Sequence, residues 1–268
     1  MDNISDTIRL RAATYLAPNI PVQYFETRLG YIDTSLRYES NTQNVTQVFA
    51  DNEIDIAWIS GTSYIQVAQQ AVAALLPVSS VHTHPSAEDC AGYYCDVIIH
   101  QSLGSRVTRF ADLRGCRWVY NQNQSLTGHY ITVKELRQLG EDSTFFGERH
   151  ESGSDLQSIH MLLSRQSDAA IVDSNCLHIF LDRNPQLKDE IQVLTSFGPM
   201  PPYPVVVNHK IPVELRQQIV DALLDMHLDS YYSQMLSKFR VKGFVRITGQ
   251  EFAAESELIS KTNDMDIK

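Results

Sequence analysis

From residue 8 onward the chain alternates strand-like and helix-like segments, and that order restricts the folds open to it. IRLRAATYL (8–16) reads as a strand. IPVQYFETRLG (20–30) reads as a helix with proline near its first turn. SLRYES (35–40) is a second strand, followed by a short helix over 41–53 that puts Val45, Val48 and Phe49 on one face. EIDIAWIS (53–60) and GTSYIQVAQQAVA (61–73) add a third strand and helix around a tight turn. A βαβαβα order calls for a parallel sheet with helices on its faces.

After a further strand, YYCDVIIH (93–100), the cycle restarts. FADLRGCRWVYN (110–121) leads into a helix over 128–139, a second helix over 154–166, and the strand DAAIVDS (168–174). A helical stretch with Asn175, Cys176, Leu177 and Phe180 follows. EIQVLTSFGPMPPYPVVVNH (190–209) holds a strand, a proline-rich crossing and another strand. The helix over 211–227 aligns Leu215, Ile219, Leu223 and Met226 on one stripe. Two α/β units in series, joined by two crossing segments, place a ligand cleft between them. The length of 268 residues fits two lobes, expected at 1–99 with 204–268 and at 100–203, the latter including the return crossing.

Charge and composition exclude several classes. A net charge of −10 argues against a nucleic-acid binder. The longest apolar run, AVAALLPV (71–78), is too short for direct membrane insertion, which takes about 20 residues. The opening MDNISDT has neither a basic nor an apolar signal region. A cytoplasmic chain is therefore expected as written, or a periplasmic one if a leader was removed. Cys90, Cys95, Cys116 and Cys176 form no CxxC and read as free thiols, with a Cys90–Cys95 bridge as the lesser alternative. HTHP (82–85), with Glu88, Asp89 and Cys90 nearby, matches no structural zinc spacing, so no metal ligand is assigned. Walker A, GxSxG and HEXXH motifs are absent, and neither a catalytic residue nor a cofactor is expected. NQNQSLTGHY (121–130) is either an anion cradle of hydroxyls and free helix N–H groups or an ordinary capped helix.

DIAWISGTSY (55–64), YYCDVII (93–99), FADLRGCRWVYNQNQSLTG (110–128), HESGSDLQSIHMLLSRQSDAAIVDS (150–174), GPMPPYPVVV (198–207) and FRVKGFVRIT (239–248) carry a resemblance across nearly the whole chain. It resembles the phosphate/phosphite/phosphonate-binding family of type II periplasmic substrate-binding proteins, in a branch without a signal segment. The resemblance implies a two-lobed α/β fold of mixed, mainly parallel sheets flanked by helices, with hinge closure over an interlobe ligand. It implies non-catalytic binding of a small oxyanion as the substrate-binding component of an ABC importer, with the transporter's membrane subunits as partners. A monomer is expected. The rival readings are a cytosolic ligand sensor of the same fold with a different ligand, and an enzyme, since thiamin-pyrimidine synthases share the fold class.

The resemblance also suggests a residue set. The family's hydroxyl-rich loop maps to Ser125 and Thr127, with Leu126 standing where another hydroxyl is frequent. Tyr94 aligns with a cleft tyrosine, or is an ordinary strand aromatic. Thr42 stands where a tyrosine occurs, or caps a helix with Asn41. Ser60, Thr62 and Ser63 flank Gly61 at a second helix start facing the cleft. Asp155 replaces a histidine: a carboxylate repels a dianion, but accepts from a monoprotonated one or pairs with an amine. Equally, an acid is ordinary in a first helical turn. Asp173 ends a strand, where ligands of α/β folds sit. Asn175 and Tyr203 stand where aminophosphonate binders carry acids, which weakens an amine-bearing ligand.

Overall fold

The computed structural model describes residues 10–16, 19–29, 34–38, 45–85 and 88–263. Within them the alternation folds into two five-stranded sheets. The first contains β1 (Leu10–Thr14), β2 (Thr34–Tyr38), β3 (Ile56–Trp58), β4 (Ala73–Leu75) and the late strand β11 (Val205–Asn208). Its order is β2-β1-β3-β11-β4, with β1 parallel to β2 and β3, and β11 antiparallel to β3 and β4. Consecutive valines explain how β11 sits in the middle. Val205 and Val207 pack with Ile56, Trp58 and Phe25 on one face, and Val206 with Ala57 and Phe49 on the other. A strand buried on both faces reads as a continuous apolar run. Helices α1 (Val22–Leu29), α7 (Val213–Asp225) and α8 (Ser230–Ser237) supply residues to the first face, and α2 (Val45–Ala50) and α3 (Gly61–Gln70) to the second. Beside them β5 (Val78–His82) pairs with β12 (Val241–Arg246) as a two-stranded ribbon.

The second sheet has the order β10-β6-β9-β7-β8. It comprises β6 (Tyr93–His100), β7 (Arg117–Tyr120), β8 (Glu148–Glu151), β9 (Ala169–Asp173) and β10 (Ile191–Met200). Alternation divides β6 between two cores. Cys95, Val97 and Ile99 face Trp118 and Phe145, while Ile98 faces Ile159 and Leu177. Helices α4 (Ile131–Gln138), α5 (Asp155–Leu163) and α6 (Ser174–Arg183) cover the sheet. A boundary at 99/100 assigned β6 to the first lobe. Its ladders with β9 and β10 place it instead in the second sheet, because the crossing precedes Tyr93. The return at 203/204 coincides with the gap between β10 and β11.

The two crossings between the sheets nearly touch. A side chain at Gly92 would collide with the Met200 carbonyl oxygen, so the close approach demands glycine. The helix expected over 128–139 begins as a wide π turn, Leu126–Tyr130, before α4. All four cysteines are free. No helix among the described residues is long and apolar enough to cross a membrane. The last helix, α9 (Ala253–Asn263), returns against both units. It packs on α3 and on the 126–130 turn, and Leu258 and Ile259 rest against the second unit's core.

Candidate functional site

The two units meet at the start of α5. Ser154 caps this helix and Asp155 opens it, fully buried. The Asp155 carboxylate accepts from Asn19 Nδ2 of the first unit at 2.8 Å and from Asn121 Nδ2 of the second at 3.2 Å. A third, longer bond comes from the Asp173 backbone N–H at 3.4 Å. Asn19 completes a two-point clasp, because its Oδ1 accepts from the Leu156 N–H at 3.3 Å. Burial pushes the Asp155 carboxyl up to about 6, with the Asp173 N–H and Asn121 opposing the shift.

Asp173 lies next to it, at the end of β9. It caps α6, accepting from the N–H groups of Asn175 at 2.8 Å and Cys176 at 3.4 Å. The Tyr203 hydroxyl donates to its other oxygen and accepts from Asn175 Nδ2 at 3.0 Å. Burial, then the neighbouring Asp155 charge, raises Asp173 to about 7. Tyr203 stacks on Tyr93 with ring centroids 5.2 Å apart and planes 8° from parallel. Burial lifts both phenols well above their ordinary range. The Tyr93 hydroxyl is hydrogen-bonded to Thr127, and it feels the charges of Glu255 and Asp173. Thr127 also bonds the Cys95 thiol.

Glu255, on α9, brings a third acid to this cluster. It is 3% exposed, and among the described residues neither carboxylate oxygen has a hydrogen-bond partner. Burial raises it to about 7. Its carboxylate lies directly on Gly61, at the first turn of α3, where any side chain would overlap it. Glu255 also borders a groove of about 550 Å³ floored by Leu126, Ile131, Met200 and Leu258. Among the described residues, none of the three acids is paired with a lysine, arginine or histidine.

The residues expected from sequence are distributed unevenly around this cluster. Thr127, Asp155 and Asp173 belong to it. Ser125 stands at the edge of the 126–130 turn, where its Oγ accepts from Gly128 N–H at 3.2 Å and keeps its own proton to donate. Ser60 caps α3. Its Oγ accepts from Ser63 N–H at 3.2 Å and lies 3.0 Å from Thr62 Oγ1 and 2.9 Å from Ser63 Oγ. Thr42 lies outside the described residues. Tyr94 lies apart from the cluster. It projects from the other face of β6, with its ring 4.8 Å from that of His84 and its hydroxyl 3.4 Å from the Glu88 carbonyl. Strand alternation puts Tyr93, not Tyr94, among the acids. Asn19 and Glu255 escaped sequence reading, since neither sits in a chemical motif, and Asn121 opens NQNQSLTGHY without having been singled out.

Comparison with known proteins places this geometry in context. Residues 21–252 match the model of a family described as an ABC transporter, phosphonate, periplasmic substrate-binding protein. No curated protein matches the chain by sequence. Among solved structures, the fold is similar to a binding protein component of an ABC phosphonate transporter from Pseudomonas aeruginosa. That match has a TM-score of 0.76 at 12% identity, over 95% of this chain and 87% of the other. It is also similar to PhnD1 from Prochlorococcus marinus, solved with methylphosphonate. There the TM-score is 0.75 at 14% identity, over 97% of this chain and 100% of the other. A Xanthomonas citri protein bound to chloride aligns with a TM-score of 0.69 at 13% identity, over 95% and 98% of the two chains. At such identities the structural likeness speaks for the fold alone.

Proposed function

This chain belongs to the family of phosphonate-binding periplasmic substrate-binding proteins of ABC transporters, and from that premise we propose that it holds a phosphonate as a monoanion between its two units. The observation that carries the reading is the family match over 21–252. The acids around Asp155 refine it. A carboxyl group held near neutrality donates a proton to a phosphonate oxygen or accepts one from it. A dianion facing ionised carboxylates that no lysine, arginine or histidine offsets would be repelled. Ser125 donates its free hydroxyl, and backbone N–H groups near the 126–130 turn add donors. Thr127 acts one step back, by orienting Tyr93. The Asn19–Asp155 clasp is the contact that hinge closure makes and opening breaks. The closed form is what the importer's membrane subunits would recognise. A transport family favours this role over a sensor detached from transport.

Calorimetry with methylphosphonate, 2-aminoethylphosphonate, phosphite and phosphate tests the reading on protein freed of ligand by partial unfolding and refolding. Binding of methylphosphonate is expected. Silence with all four contradicts the phosphonate role. Binding restricted to the amine-bearing compound keeps the role but assigns the acids to an ammonium group.

A further inference from the structure

On the face of β6 turned away from the acid cluster, three side chains converge that the phosphonate reading does not use. Asp96 lies in the middle of β6, with its side chain fully buried. His84 follows β5 in the first crossing, and its Nε2 lies 3.4 Å from Asp96 Oδ1. His178 projects from α6, with Nδ1 3.8 Å from Asp96 Oδ2. The two imidazole rings are 4.9 Å apart, and one donor atom from each of the three residues falls within 4.8 Å of the others.

A buried carboxylate costs several kcal/mol unless a positive charge faces it. Among the described residues no lysine or arginine pairs with Asp96. The nearby Arg240 is committed to Asp182 through two bonds of 2.6 and 2.9 Å. Among the described residues Asp96 Oδ2 has no hydrogen-bond partner. His178 Nδ1 donates to the Ser174 carbonyl at 2.8 Å, the outer-shell bond that commonly orients a ligating Nε2.

We propose that His84, Asp96 and His178 form a site for a divalent transition-metal ion of the zinc type. Nitrogen donors disfavour calcium and magnesium, and two imidazoles with one carboxylate suit zinc with water in its fourth position. Ligand atoms about 2.1 Å from a tetrahedral ion lie about 3.4 Å from one another. His84 Nε2 and Asp96 Oδ1 already stand 3.4 Å apart, and all three donor atoms lie within 4.8 Å of one another, so coordination draws them together by up to about 1.4 Å. The ligands come from both sides of the crossing. His84 leaves the ribbon of the first unit, while Asp96 and His178 belong to the second sheet and its helix. A bound ion would tie the two units together beside the Gly92–Met200 approach.

Zinc titrated into protein dialysed against a chelator, with a chromophoric chelator as competitor, tests the site. One ion per chain is expected, with a rise in melting temperature. His84→Gln, Asp96→Asn and His178→Gln should each weaken binding at least tenfold. Asp96→Asn removes the buried charge and is expected to stay folded by circular dichroism, so it remains informative if a histidine variant does not. Cobalt should give the intense visible bands of a four-coordinate site in the parent and none in Asp96→Asn. Absence of zinc binding to the parent overturns the proposal. So does binding that all three variants retain, since that would assign the ion to surface histidines.

Discussion

Burial raises Asp155, Asp173 and Glu255 alike toward neutrality, yet the three are held on opposite terms. In the second unit, Asp155 and Asp173 receive amide, backbone and phenol donors, one of them from the other unit. Glu255 sits against α3 with nothing donating to it among the described residues. It is kept there by the packing of α9 and the turn before it, in which Phe252 and Tyr64 bring their rings to 4.7 Å and Leu258 meets the opposite core. The contrast separates two roles that a raised pKa alone would merge. A satisfied acid fixes local geometry. A bare one is a strained group that gains by protonation or by meeting a donor.

Removing the satisfied acid should do the most damage. Asp173→Ala strands the Asn175 and Cys176 N–H groups and the Tyr203 hydroxyl, and should cost about 2–4 kcal/mol in urea unfolding. A loss below about 0.5 kcal/mol would erase the difference between the satisfied and the bare acid. Substitution of the bare acid should act in the other direction, and with pH. A folded-state pKa raised from the ordinary carboxyl value to about 7 means that folding takes up a proton. The penalty is absent at pH 4, grows as pH rises, and is full above pH 7. Glu255→Gln should therefore stabilise by about 1–3 kcal/mol at pH 8 and change little at pH 4.5. Equal effects at both pH values would mean that Glu255 is paired in solution.

A smaller effect, of about 1–2 kcal/mol, is expected from Asn19→Ala, which opens the clasp and takes the acceptor from the Leu156 N–H. Small-angle scattering should show its ligand-free form more extended than the parent. An unchanged profile would mean that the clasp does not hold the units together. The smallest change should come from Thr127→Val, about 1 kcal/mol of stability through its bonds to Tyr93 and Cys95. Ser125→Ala should cost more ligand affinity than Thr127→Val. The reverse order would return Thr127 to direct contact with the anion.

The alternation of strands and helices was legible because periodicity is local. The return crossing showed as the proline-rich segment 199–204 between apolar runs, whereas the first was placed at 99/100, after β6 rather than before it. Short strands such as β4 and β8 carry too few residues to display a period. Around the acids, Asp155 and Asp173 were visible at the ends of their elements, but what surrounds them was not. Asn19 lies 136 residues from Asp155, and no local pattern joins them. Alternation did establish that Tyr93 and Tyr94 face opposite ways. Which of them meets the acids depends on how β6 is seated in its sheet. Glu255 looks like any acid of a solvated helix until α9 is packed against Gly61.

Calorimetric titration of methylphosphonate at pH 5.5 and pH 8 tests the central claim most directly. Monoanion binding between acids held near neutrality predicts tighter association at pH 5.5, by at least tenfold, with the difference reduced in Asp155→Asn. Absence of binding at both pH values, or tighter binding at pH 8, would contradict it.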